Sequence, residues 1–250
     1  MKGEIEYIAD GQIFHGKIDH VMGTRLEMLA VGICEEAAMQ LWEGLHDMVS
    51  GLDLMLNRFE PTSEVSQLNM HDDPLGHQMS EELAHMVVMA KEYQARTGGL
   101  FDIKDKDGKL DFGGFAKGYF LKKCGEALRQ AGVECAFVDF GGSSILGIGH
   151  HPYGECWKVG VVNPFTGMTI KDVELVDEAM STSGNTPYYS GHIRNPRTGE
   201  TCSDRRMVTV VSNDALDVEI LSTALMIADA DDYEKIRNEF PSATWEEFRL

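Results

Sequence analysis

The sequence has 250 residues, 43% of them hydrophobic and 25% charged, the composition of a globular chain long enough to bury a core without disulfides. A formal net charge of −19 argues against nucleic acid as a partner, since a phosphate backbone calls for a basic surface, whereas an anionic small molecule needs only a local cationic patch. No segment has the apolar length of a membrane span, the start MKGEIE carries no apolar signal region, and Cys34, Cys124, Cys135, Cys156 and Cys202 form no C-x-x-C pair; a reduced, cytoplasmic protein without membrane insertion is expected.

Residues 4–33 alternate and are punctuated by Gly11, Gly16, Gly23 and Gly32, which predicts strands in hairpins. Residues 34–57 carry helical spacing through Ala38, Leu41, Leu45, Met48, Leu52 and Met55. FEPTSEVSQLN, 59–69, reads as a turn and a short capped helix. A second long helix is predicted from the N-cap Ser80 to Arg96, stopping at Gly98-Gly99, and a third over 116–130 before Gly132. VECAFVDF, SSILGIG and WKVGVV read as strands, as do 172–179 and 206–212; helices follow over 215–228 and 231–239. Strands and helices do not alternate strictly, so an α+β fold with mixed sheet and packed helices is expected, in one domain spanning 1–250.

Four stretches could carry chemistry. LDFGGFAKGY, 110–119, places Asp111 at a strand end, then a Gly pair, then Lys117 at a helix start, where backbone N–H groups and an ammonium could meet phosphate; from spacing alone a plain strand–turn–helix connection with a surface lysine is the favoured reading. It lacks the spacing of a P-loop. STSGNTPYYSGHIRNPRTG, 181–199, reads as a hydrogen-bonding loop around His192, which is either a general base or a structural histidine beside a turn. Glu219 and Thr223 are four apart, so they share one helix face, either as hard oxygen ligands for magnesium or as the exposed side of an amphipathic helix. DFGGSSILGIG, 139–149, reads as strand, Gly turn and strand, without the helix of a dinucleotide fingerprint.

Taken together and in order, MGT at 22–24, SEVSQLN at 63–69, GGLFD at 98–102, DFGGFAKGY at 111–119, the Gly-Gly strand pair at 139–149, STSG at 181–184, HIRNPRTG at 192–199 and Glu219-x-x-x-Thr223 resemble the ApbE family of FAD:protein FMN transferases. The resemblance runs from Met22 to about Ala228. It implies magnesium-dependent transfer of FMN from FAD to a Ser or Thr hydroxyl of an acceptor flavoprotein, with AMP released. It implies FAD contacts at Met22, Phe59, Leu100, Phe101, Asp102, Asp111, Lys117 and Ile193. It further implies that His192 receives the hydroxyl proton, and that a magnesium ion is held by Glu219, Thr223 and the carbonyl of Gly114. The chain departs from the family in having Phe59 for Tyr, Glu219 for Asp and Asn195 for Asp, and in joining Asp102 to Asp111 by only IKDKDGKL, 103–110, where relatives carry a longer segment. Two other activities fit the same resemblance: hydrolysis of FAD by water, and FAD binding without catalysis.

Overall fold

The computed structural model describes residues 3–250. Alternation near the N-terminus produces three antiparallel strands, β1 (Gly3–Ile8), β2 (Ile13–Val21) and β3 (Thr24–Val31). Phe14, Gly16 and Ile18 on β2, and Leu26, Met28 and Ala30 on β3, fall two apart and are all buried on one sheet face. Met22 (φ 48°) and Gly23 (φ +72°) join β2 to β3 in a tight turn with both central residues left-handed, the arrangement whose twist suits a two-residue hairpin.

Helix α1 (Glu35–Leu56) buries Ala38, Trp42, Leu45, Val49, Leu52 and Leu56, a stripe at steps of three and four. α2 (Glu64–Leu68) starts where Ser63 accepts from the Ser66 N–H, and α3 (Glu81–Arg96) where Ser80 accepts from the Leu83 N–H. α4 (Ala116–Gln130) leads to β4 (Cys135–Phe140) and β5 (Ser144–Ile148). The hairpin β6 (Trp157–Val162) and β7 (Thr169–Leu175) follows, then β8 (Ala179–Gly184), β9 (Arg206–Ser212), α5 (Ala215–Leu225), α6 (Ala230–Glu239) and β10 (Thr244–Arg249).

Eight strands form one antiparallel sheet in the order β1-β2-β3-β4-β5-β8-β9-β10, and β6 and β7 pair only with each other. The helices gather in the main core with one sheet face, through residues such as Trp42, Phe120, Phe140 and Leu221. A second, smaller cluster of Ile145, Trp157, Val161, Leu175, Met180 and Met207 seats the β6–β7 hairpin on the sheet. The α+β expectation therefore holds. α5 lies almost wholly inside: ten of its eleven residues are buried, Glu219 among them, and Thr223 is half-buried, so neither sits on an exposed helix face.

Three expectations change. The stretch 172–179 spans the end of β7 and the start of β8, separated by residues 176–178. Residues 181–184, expected in a loop, are strand; their hydroxyls face packed neighbours rather than water. β10, with the sequence TWEEFR, was not anticipated because its charges suit an edge strand as well as a turn.

Candidate functional site

The tight approach of α4 to α5 sets the centre of the site. A Cβ on Gly118 would lie 2.5 Å from the Glu219 Cβ and 2.8 Å from the Ala215 carbonyl oxygen, so only glycine permits this spacing. The approach brings Lys117, one residue earlier, against Glu219, which is 4% exposed. Lys117 Nζ donates to Glu219 Oε1 and, at 2.7 Å, to Ser144 Oγ. Ser144 Oγ and Ser181 Oγ donate to Glu219 Oε2 at 2.6 and 3.1 Å. The buried carboxylate is thus balanced by an ammonium and two hydroxyls, as a buried charge requires.

The hydroxyl row continues along β8. Ser181 and Ser183, two apart on one strand, share a face toward α5; Thr182 faces the other way and meets Thr209 Oγ1 at 2.9 Å. Ser183 Oγ lies 2.8 Å from Ser222 Oγ and 3.1 Å from Thr223 Oγ1. The Cβ position of Gly114 is 3.9 Å from Thr223 Oγ1. Gly114 thus borders Thr223, and Ser183, Ser222 and Ser181 link Thr223 to Glu219 through a chain of hydroxyls. The donors of Glu219, Thr223 and Gly114, a carboxylate, a hydroxyl and a backbone carbonyl, are hard oxygens of the kind magnesium takes, so this donor chemistry fits that ion. The described residues hold no cluster of three or more His, Cys, Asp or Glu side chains able to bind a metal.

Beside this network opens a cavity of about 360 Å³ at the N-terminus of α4. Met22, Phe59, Asp111 and Lys117 line it, together with Asp53, Arg58 and others that the sequence reading missed. Met22 holds its left-handed backbone while its N–H donates to Asp53 Oδ1 at 3.1 Å. Strain of this kind persists where the surroundings enforce it. Phe59 is 81% exposed, and the Arg58 guanidinium sits 4.9 Å over its ring. Arg58 also pairs with Asp111 at 2.9 Å and Asp105 at 3.5 Å. Asp111 lies beyond an isolated bridge, Lys104 to Leu110, and not on a regular strand.

The remaining candidates lie deeper or farther along. Leu100, Phe101 and Ile193 are buried core residues; Phe101 stacks on Phe115 at 6.3 Å. Asp102 accepts from Gln94 Nε2 at 2.7 Å and from the Lys104 N–H at 2.8 Å. None of these four lines the cavity. His192 also lies outside it, on the loop after β8, exposed and stacked on Tyr189 with centroids 4.1 Å apart. Partial desolvation lowers its pKa from the usual 6.5, so the ring is neutral and able to accept a proton at pH 7.

The departures noted in the sequence have structural counterparts. Asn195 Oδ1 accepts from the Arg197 N–H at 2.9 Å, closing the turn after Ile193 without a charge. IKDKDGKL folds as a tight hairpin in which the Asp105 N–H donates to the Lys109 carbonyl and the Asp111 N–H to the Ile103 carbonyl. Asn69 clamps it, accepting from the Leu110 N–H at 2.6 Å and donating Nδ2 to the Leu110 carbonyl at 2.9 Å. A more open groove of about 550 Å³ between β7 and β10, lined by Lys171, Glu174 and Trp245 among others, contains none of the candidate residues.

An eight-stranded antiparallel sheet with one helical face, a glycine-bearing helix start beside a cavity and a hydroxyl-rich strand together define a particular α+β class. Residues 22–105 and 103–244 match the ApbE family, and the chain belongs to it. The two matched stretches meet in the shortened connection. The sequence is 33% identical over 127 residues to an FAD:protein FMN transferase of Klebsiella pneumoniae (strain 342), covering 47% of this chain and 38% of that protein. It is 31% identical over 136 residues to one of Rhodobacter capsulatus, covering 51% of this chain and 26% of that protein. The matched parts thus span well under half the length of either relative. The structure resembles the ApbE protein of Thermotoga maritima (TM-score 0.77, 21% identity, 95% of this chain and 97% of that one). It also resembles the flavin transferase ApbE of Vibrio cholerae (TM-score 0.76, 18% identity, 98% and 97%). At these identities the structural likeness establishes the fold.

Proposed function

We propose that this protein is an FAD:protein FMN transferase that moves FMN from FAD to a Ser or Thr hydroxyl of an acceptor flavoprotein and releases AMP. The observation that carries the reading is the cavity at the start of α4, lined by Met22, Phe59, Asp111 and Lys117, adjoining the Glu219–hydroxyl network in an ApbE-family chain. A helix start with free N–H groups and a neighbouring lysine suits a pyrophosphate. Exposed Phe59 offers a face on which a flavin ring can stack, and the resemblance adds Leu100, Phe101 and Ile193, buried outside the cavity lining, to the expected FAD contacts. Asp102 and Asp111 complete the expected FAD contacts.

In the reaction the acceptor hydroxyl oxygen bonds to the FMN phosphorus and the bond from that phosphorus to the bridging oxygen breaks. AMP carries that oxygen and its electron pair away. His192 takes the hydroxyl proton. Glu219, Thr223 and the Gly114 carbonyl would hold magnesium, which when bound neutralises phosphate charge. The five unpaired thiols support placing the activity, in one domain, in a reducing cytoplasm. No helix among the described residues is long and apolar enough to cross a membrane.

The test is to incubate purified protein with FAD and Mg²⁺, with and without an acceptor flavoprotein, and to measure AMP, FMN and protein-bound flavin. AMP formed only with the acceptor, with covalent flavin on it, is expected. Free FMN without acceptor would instead indicate hydrolysis, and intact FAD under tight binding would indicate a binding protein.

A further inference from the structure

Glu219 is not free to take a cation in this structure. Lys117 Nζ is in contact with Oε1, and Ser144 and Ser181 hold Oε2. Ser144 also accepts from Lys117, so ammonium, hydroxyl and carboxylate form a closed triangle. The ammonium places a full positive charge within bonding distance of the carboxylate, where it competes with any divalent ion for the same oxygens. The extra methylene of glutamate relative to the family aspartate extends the carboxylate toward Lys117, Ser144 and Ser181 from a helix that Gly118 already holds close to α4. At the same time, Lys117 lines the cavity, so one side chain borders both the ligand space and the carboxylate.

We infer that Lys117 is a built-in occupant of the cation position at Glu219, and that a divalent ion enters the ligand-free protein only by displacing it. The lysine then has two alternative partners, the Glu219 carboxylate and an anionic group in the cavity. An anion there draws the ammonium off Glu219 and frees the carboxylate. This inference rests on reading Glu219 as the cation-side carboxylate of the proposed transferase site.

The experiment measures Mn²⁺ affinity without any flavin, by electron paramagnetic resonance of the free ion, for the wild type and for Lys117→Met. Removing the ammonium leaves a buried carboxylate without a counter-charge, and Mn²⁺ affinity is expected to rise about tenfold or more. Should Lys117→Met not fold, judged by circular dichroism, Glu219→Asp replaces it as the deciding variant. Its shorter side chain withdraws from Lys117, and tighter Mn²⁺ binding is again expected. Unchanged or weaker Mn²⁺ binding in the deciding variant overturns the inference, and so does the absence of saturable binding in every protein. The transfer assay is scored separately. Transfer activity with unchanged Mn²⁺ affinity would refute Lys117 as the occupant and leave the function standing. Tightened affinity without transfer would do the reverse.

Discussion

Two side chains carry the sharpest residue-level consequences. His192 has its pKa below 6.5 because its ring is partly removed from water. If it accepts the hydroxyl proton, kcat/KM for transfer should rise with pH along an acid limb whose midpoint lies below 6.5, then level off. His192→Ala should lose that limb and, as is typical for a general base, about 10²–10⁴-fold in rate, with FAD affinity nearly unchanged. Equal losses in rate and FAD affinity would assign the ring a structural role instead. Asp217 is a different case. Burial is the largest influence on it and raises its carboxyl pKa above 3.8, opposed by a hydrogen bond donated by Tyr93 at 2.5 Å. The folded state therefore binds a proton more tightly than the unfolded chain. This contribution to stability is full below about 3.8 and declines as pH rises through the folded pKa. Asp217→Asn keeps an acceptor for Tyr93 and removes the charge. Relative to wild type it should unfold at higher urea concentration at pH 7 than at pH 4, and an equal difference at both values would show that the charge carries no cost.

At the scale of elements, the approach of α4 to α5 and the clamp on the short connection are separable. Gly118→Ala inserts a methyl against Glu219 Cβ and the Ala215 carbonyl, and overpacking of this kind costs about 1–3 kcal/mol. Urea unfolding should register it, and because the helices must part, the Lys117–Glu219 contact should loosen with it. Asn69→Ala removes two hydrogen bonds from Leu110 and should cost about 1–3 kcal/mol, with faster amide exchange across residues 104–110. Stability loss without faster exchange there would mean that the hairpin holds itself. The helices among these elements were legible because periodicity and caps agree: Ser80 precedes a stripe of Leu83, Met86, Val87 and Ala90. β8 was not, since Ser-Thr-Ser-Gly has turn composition and only the partners across the sheet and on α5 make those hydroxyls buried strand residues. Along the site, ordered motifs pointed to Met22, Phe59, Asp111 and Lys117, and the structure places them together. Asp53 and Arg58 lie outside any motif, and nothing local in sequence shows that α1 delivers Asp53 to the Met22 turn.

The molecule as a whole divides its labour across one sheet. Every candidate site residue belongs to the helical side or to the loops around it, and the β6–β7 hairpin docks elsewhere on the sheet through its own cluster. That hairpin shares no strand pairing with the main sheet, and Trp157 anchors it together with Val161 and Leu175. Trp157 is 4% exposed, its ring lies 5.2 Å from Phe137, and its Nε1 donates to the Ile148 carbonyl at 3.1 Å. A segment held by side-chain contacts without strand pairing, here including the Lys171–Glu246 ion pair, can open without the rest of the protein. Trp157→Ala removes that anchor and should cost about 3–5 kcal/mol if the hairpin opens only with the whole fold, and less if it opens alone. The smaller cost is expected, because the six-residue cluster is separate from the core that holds the helices. Native-state hydrogen exchange separates the two cases. In the variant, amides of residues 157–175 should exchange much faster while those of α4 and α5 stay near wild type, and FAD affinity should change by less than about twofold. Uniform acceleration across both regions would show that hairpin and helical layer unfold as one unit, and the functional side would then depend on packing it does not touch.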